Sequence, residues 1–149
     1  MPKMTYEPVY DKIKLIDMGG ATWDHEHHST IINTRQYRSP EVILNCMRWN
    51  HKSDIWSIGC ILYELFSGKF FFPTHEDYEH MAMIEKMFGK VPRWMAERCS
   101  TELQKNFILD DDIHYKFRKT YFDWPRDSSS YDSVKHVREF QSLSGLIDK

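Results

Sequence analysis

The apolar positions of this chain change their spacing several times, and each change marks an element. "KIKLI" alternates polar and apolar side chains from Lys12 to Ile16 and predicts a short strand ending at Asp17. Gly19 and Gly20 interrupt it, and "ATW" reads as a second short strand. From Asp24 to Arg38 the chain is polar, rich in His, Ser and Thr, and has no period, which predicts a long loop. Loops of that length inside a compact domain usually serve a function. "SPEVILNC" then opens a helix, with Ser39 at the N-cap, Pro40 at the first helical position and Glu41 in the first turn.

A second helix is expected over "SDIWSIGCILYELFSG", capped by Ser53 or Asp54 and stopped by Gly68. Between Ile55 and Phe66 only Ser57, Tyr63 and Glu64 are distinctly polar. A helix apolar nearly all round is buried on most sides, so this one is the expected hub of the domain. "PTHEDYEHMAMIEKMFG" predicts a third helix. Thr74 and Asp77 make a capping-box-like start, Met81, Ile84 and Phe88 an apolar stripe, and Gly89 the end. Beyond Pro92 the pattern is weaker: "PRWMAERCSTELQKNF" accommodates one helix, and "RDSSSYDS" reads as a surface loop. "DDDIHYKFRKTYFDWP" mixes acidic, basic and aromatic residues without a period. Residues 1–11 read as a leader and 12–149 as one domain, mainly α within an α+β class, with no internal repeat.

Composition narrows the class. The 149 residues suffice for one domain with a real core, and 41% hydrophobic with 15% aromatic content argues for a packed globule. Twenty basic against twenty-two acidic residues leave a formal charge of −2, which points to neither a nucleic-acid nor a membrane surface as the main partner. Cys46, Cys60 and Cys99 are odd in number, far apart and never in a C-x-x-C spacing, as expected of free thiols in a reducing compartment. No run reaches the ~18 apolar residues of a membrane span, and "MPKMTYEPVY" lacks a signal peptide's apolar core. These features imply a soluble, intracellular chain.

Candidate chemistry is concentrated before Ser39. Asp17 ends an apolar strand and is followed by glycines, as a carboxylate holding magnesium beside nucleotide phosphates would be. A strand-ending Asp-x-Gly turn reads the same way from the tripeptide alone. His25, His27 and His28 invite a zinc reading, although no cysteine is near and the adjacent pair suits one tetrahedral ion poorly. Met81, Met83 and Met87 fit a docking groove less well than a helical core. The "DDD" at 110–112 reads as a solvated turn, and the five tryptophans as packing.

Taken in order, "IDMGGAT", "TRQYRSPEVIL" and "SDIWSIGCILYELFSGKFFFP" resemble consecutive signatures of a eukaryotic protein kinase. They correspond to its magnesium-binding Asp-Phe-Gly, its Ala-Pro-Glu element and the aspartate of the large lobe's central helix. "DHEHHSTIINTRQYRSPE", "THEDYEHMAMIEKMFGKVP" and "FDWPRDSSSYDSVKHVREF" are similar, more narrowly, to the LAMMER (Clk-type) dual-specificity kinases. The likeness runs from Lys12 to Phe140. Met18 replaces the usual phenylalanine, Ser39 an alanine, and Lys86 the arginine of the name-giving motif.

The resemblance implies a fragment of a kinase large (C-terminal) lobe. It assigns Asp17 to magnesium and the nucleotide, Thr34 and Arg35 to the substrate-binding loop, and Arg38 to orienting that loop. It makes Ser29 and Thr30 candidate phosphorylation sites. Glu41 and Asp54 become structural anchors, the first for an arginine of the closing helices, the second for backbone N–H groups of a catalytic loop. It implies ATP and magnesium as cofactors of an intact parent, Arg/Ser-rich splicing factors as substrates, and a nuclear location that extends to the cytoplasm.

The rest of a phosphotransferase site is not among these residues. The six glycines never form G-x-G-x-x-G, no Val-Ala-Ile-Lys occurs, and no histidine precedes Arg-Asp. The N-lobe, the catalytic loop and the closing helices are therefore expected to be absent. With no catalytic base, the chain alone is expected to be inactive and to hold neither ATP nor magnesium tightly. Self-association through an exposed core follows from the same incompleteness. A non-catalytic interaction or decoy module is the rival reading, and a truncated piece of a longer gene product is the third.

Overall fold

The computed structural model describes residues 11–110, 119–126, 130–143 and 145. Most of the leader (1–10), two residues of the "DDD" and the centre of "RDSSSYDS" lie outside them.

Six helices and one hairpin make the described fold: α1 (Pro40–Leu44), α2 (His51–Ser67), α3 (Asp77–Phe88), α4 (Arg93–Arg98), α5 (Thr101–Gln104), β1 (Phe107–Asp110), β2 (Lys119–Phe122) and α6 (Tyr131–Glu139). The balance matches the expected mainly α content. The two early strands do not form. Residues 11–17 and 21–23 carry no strand, and a 3₁₀ turn occupies Met18–Gly20. A strand exists only by pairing, and no described segment offers Ile13, Leu15 and Ile16 a partner, so all three stay exposed.

Pro40 at the first helical position starts α1 as expected, but Ser39 caps without its hydroxyl, which is turned onto Ser53 Oγ at 3.1 Å. The start of α2 lies earlier than the Ser53/Asp54 reading. Asn50 caps it, its side-chain oxygen accepting from the Lys52 amide at 2.9 Å. Gly68 ends it in the left-handed region (φ 69°). Thr74 is not a capping-box partner of Asp77. Its hydroxyl donates to the Glu76 carbonyl, and Glu79 reaches back to the His75 amide. Cys99 in an extended conformation, followed by the Ser100 cap, splits the single helix expected after Pro92 into α4 and α5. Ser130 likewise caps a helix at Tyr131, inside the stretch read as loop.

The larger correction concerns the hub. Only Ser53 and Cys60 of α2 are buried, whereas Leu62, Leu65 and Phe66 are 60%, 77% and 90% exposed. The centre of the core is α3, which buries Met81, Met83 and Met87 and packs against α1, α6 and β2. Phe72, fully buried, stacks on Trp56 and contacts His80. Not every tryptophan packs: Trp23 is 71% exposed.

The hairpin, which no period announced, pairs Phe107 with Phe122, and their rings meet at 5.2 Å on the core side. The signature helix α3 ties it down. Glu85 accepts from the Val91 and Phe122 amides at 3.0 and 3.3 Å. Lys86 donates to the Val137 and Arg138 carbonyls, so a lysine closes the end of α6 as a point charge, without the fork of an arginine.

His80 offers a test of this core. Both ring nitrogens are buried without a hydrogen-bond partner among the described residues, and burial above all holds its pKa at about 4. The folded value lies below the unfolded one, so stability is full above about pH 6.5 and falls as pH drops toward 4. The loss at the low end is roughly 3 kcal/mol. Urea denaturation across this range is expected to show the slope, and His80→Phe to flatten it.

Candidate functional site

The polar segment before α1 is held by side chains that converge from α2 and α3. Arg38 is the main anchor. Its side chain is only 11% exposed, and it donates to both Asp77 oxygens at 2.8 and 3.1 Å. Its remaining N–H groups reach the carbonyls of Ile32 (3.1 Å) and Asn33 (3.2 Å). Both carboxylate contacts come from Nη1, so it is the three guanidinium nitrogens on three separate acceptors that fix the orientation of this side chain. Arg35 adds a second cation on Asp77 at 3.3 Å and donates to the His75 carbonyl.

The other side of the segment is fastened to α2. Asn33, in the left-handed region (φ 61°), donates to Ser57 Oγ at 3.0 Å, and Ser57 Oγ donates to the Tyr37 carbonyl at 2.9 Å. The Tyr37 hydroxyl donates to Glu64 at 2.6 Å. That bond, more than burial or the Glu64 charge, pushes the tyrosine's pKa up to about 12. Thr34 is left exposed at the start of a 3₁₀ turn, Arg35–Tyr37, between two fixed walls. Thr34 is thus held toward solvent by a segment fastened to both α2 and α3. Arg38→Ala removes four hydrogen bonds made by three nitrogens and is expected to destabilise the fold by about 1–3 kcal/mol. Arg38→Lys should not restore the loss, since lysine lacks the fork. Denaturation midpoints and protease cleavage between residues 29 and 38 measure both.

The remaining sequence candidates fall into separate places. Buried Ser39 Oγ and Ser53 Oγ form a relay that ends on the half-buried Glu41, the last step being Ser53 Oγ to Glu41 Oε1 at 2.7 Å. Asp54 sits exposed in the first turn of α2. Ser29 and Thr30 are exposed on the rim of a cleft of about 490 Å³ with Arg48 and Trp49 across from them. His28 meets Trp49 in a tilted ring contact with centroids 4.3 Å apart, and no group of three metal-ligating side chains forms among the described residues.

Asp17 stands apart, with no ion pair or hydrogen bond to the segment among the described residues. It is exposed in the left-handed region (φ 60°), where Asp is tolerated better than most residues. Its free carboxylate is a suitable oxygen ligand for a hard cation such as magnesium, but one carboxylate is far short of an octahedral set.

The structure therefore gathers Thr34, Arg35 and Arg38 but not Asp17. It also reveals partners that sequence reading missed. The local pattern of Asp77 marks only a helix start, and nothing in it points forty residues back. Ser57 and Glu64, the polar interruptions of α2, were visible and are the groups that seat Asn33 and Tyr37.

Comparison with known proteins gives the family. The protein kinase domain model matches residues 6–137. The serine/threonine-protein kinase AFC1 of Arabidopsis thaliana is 44% identical over 140 residues, covering 94% of this chain and 28% of that protein. The dual specificity protein kinase lkh1 of Schizosaccharomyces pombe is 45% identical over 136 residues (91% and 18%). Human dual specificity protein kinase CLK2 is 42% identical over 127 residues (85% and 22%). The crystal structure of the PF14_0431 kinase domain is similar in fold, with a TM-score of 0.76 and 42% identity over 91% of this chain and 38% of that one. The chain thus spans less than a third of each of these three relatives.

Proposed function

Because this chain belongs to the protein kinase family, in its LAMMER (Clk-type) group, we propose that it forms the substrate-facing part of a kinase large lobe. The observation that carries the reading is the Arg38–Asp77 clamp, which holds the Thr34 segment against α3 while leaving Thr34 exposed. In the complete enzyme this surface lays out the acceptor peptide, and ATP donates its γ-phosphate to Ser, Thr or Tyr. Arg/Ser-rich proteins are the substrate class and the nucleus the place of action, both carried over from the family resemblance. Asp17 would hold magnesium, which when bound neutralises phosphate charge and aligns the nucleotide. Glu41 and Asp54 keep their anchoring roles.

Phosphotransfer by the full catalytic domain to an Arg/Ser-repeat peptide, against a Lys/Ser repeat and an Ala/Ser repeat, tests the substrate class. A preference for the Arg/Ser repeat in kcat/KM is expected. Equal use of all three peptides counts against it.

A second reading, an interaction module without catalysis, draws on the uncovered apolar face of α2. Lack of any phosphotransfer by the longest natural product containing these residues favours it.

A further inference from the structure

Between α1, α3, α5 and the hairpin lies a cleft of about 240 Å³. Ile43 and Leu44 of α1, Met81 of α3, Leu103 of α5 and Phe122 of β2 give it an apolar lining. The Tyr78 ring completes that lining, with its centroid 4.7 Å from that of Phe122 and its hydroxyl turned onto the Asp123 carbonyl. Small-molecule sites run to about 300–1,000 Å³, so a cleft of this size suits one large side chain better than a cofactor. Two rings in its wall favour an aromatic guest.

Two polar residues stand in the same lining, Asp77 and Asn106. Both Asp77 oxygens are held by Arg38 and one also by Arg35, so an apolar guest leaves them no worse satisfied. The half-buried Asn106 side-chain amide makes no hydrogen bond among the described residues. It offers a carbonyl acceptor and two N–H donors, which match the backbone of an extended peptide. Asp77 also fastens the Thr34 segment, so the cleft and that segment share a wall. Charge at this wall is unequal, one carboxylate against the guanidinium groups of Arg35 and Arg38. Arg35 is partly exposed, and its Nη2 makes no hydrogen bond among the described residues.

We infer that the cleft is a second docking point for the acceptor protein: it takes one aromatic or large aliphatic side chain from an extended segment away from the acceptor residue, and an acidic neighbour of that side chain meets Arg35. Asn106 pairs the backbone of the docked segment. This rests on the reading of the Thr34 segment as the acceptor surface and adds recognition outside the Arg/Ser repeat. An anchor remote from the reacting atoms binds equally in ground and transition states, so it lowers KM and leaves kcat unchanged.

The test uses the complete catalytic domain and an Arg/Ser-repeat peptide tagged, through a Gly/Ser linker, with Phe-Asp, Ala-Asp or Phe-Gln. Tags at either end and linkers of graded length let the anchor reach the cleft. At the best length, Phe-Asp is expected to lower KM roughly tenfold against Ala-Asp at the same kcat, and Phe-Gln to keep part of the gain. A Phe-Asp peptide without a hydroxyl should compete with the tagged substrate and not with the plain repeat. Asn106→Trp, whose indole fills the mouth, should cancel the gain, while turnover of the plain repeat reports whether that variant is folded. Equal KM for all three tags at every length, or a gain that survives Asn106→Trp, overturns the inference. Failure of the domain to phosphorylate even the plain repeat counts against the acceptor reading instead. Fluorescence anisotropy of a labelled Phe-Asp peptide then decides the cleft by itself: binding lost in Asn106→Trp supports it, and no binding overturns it.

Discussion

In a complete LAMMER catalytic domain carrying these residues, Asp17→Ala is expected to lower kcat by roughly 10³-fold or more, with folding unchanged. Charge stabilisation of a transferring phosphoryl group through a bound metal is worth several kcal/mol, and each ~1.4 kcal/mol is a factor of ten. Folding is spared because Asp17 is exposed and makes no hydrogen bond or ion pair among the described residues. The companion result concerns residues 1–149 alone, which are expected to transfer no phosphate at all. They contain no glycine-rich nucleotide loop, no Val-Ala-Ile-Lys lysine and no His-Arg-Asp base, and positioning by one ligand cannot replace that set. Calorimetry should find only weak binding of magnesium and ATP to this segment, since magnesium depends on substrate phosphates and further ligands. Turnover by residues 1–149 that is lost with Asp17→Ala, or micromolar affinity for Mg·ATP, contradicts the account.

The second large effect is on stability. Ile55, Leu62, Leu65 and Phe66 leave one side of α2 uncovered, and Ile13, Leu15 and Ile16 add to the exposed apolar surface. Contiguous apolar patches above a few hundred Å² are rare on soluble monomers. At ~25 cal/mol per Å², about 400 Å² left wet forfeits about 10 kcal/mol of burial, as much as a typical domain's whole stability. Residues 1–149 in isolation are therefore expected to self-associate or to melt at low temperature. Leu62→Lys combined with Phe66→Glu should shift light scattering toward the monomer. A concentration-independent monomer with a cooperative melt above roughly 55 °C would instead mean that the face needs no cover.

Local chemistry was legible in the sequence wherever one residue type had one physical use. Pro40 after Ser39 could only begin a helix, Gly68 and Gly89 could end one at positive φ, and the methionines of α3 fell on its buried side. The order of the three signature motifs was likewise enough to place the chain among the protein kinases, and the match over residues 6–137 agrees. Polarity at helical spacing could not say which apolar helix would be covered. By pattern α2 was the hub, yet burial depends on what packs against a face, and the described neighbours cover α3 instead.

The same division runs through the site. The sequence by itself determined which groups were available: the guanidinium groups of Arg35 and Arg38, the hydroxyls of Ser29, Thr30 and Thr34, and the exposed carboxylate of Asp17. Tertiary structure alone decided their partners, because an ion pair or hydrogen bond requires approach within about 3 Å, and spacing along the chain does not encode that across forty residues. Asp77 beneath Arg38, Glu64 on Tyr37 and Arg48 over the Asp24–Ser29 turn are all pairings of that kind. The hairpin is another case. Phe107 and Phe122 carry no period in so short a run, and only the cross-strand contact between their rings, with Glu85 holding the Phe122 amide, makes strands of them.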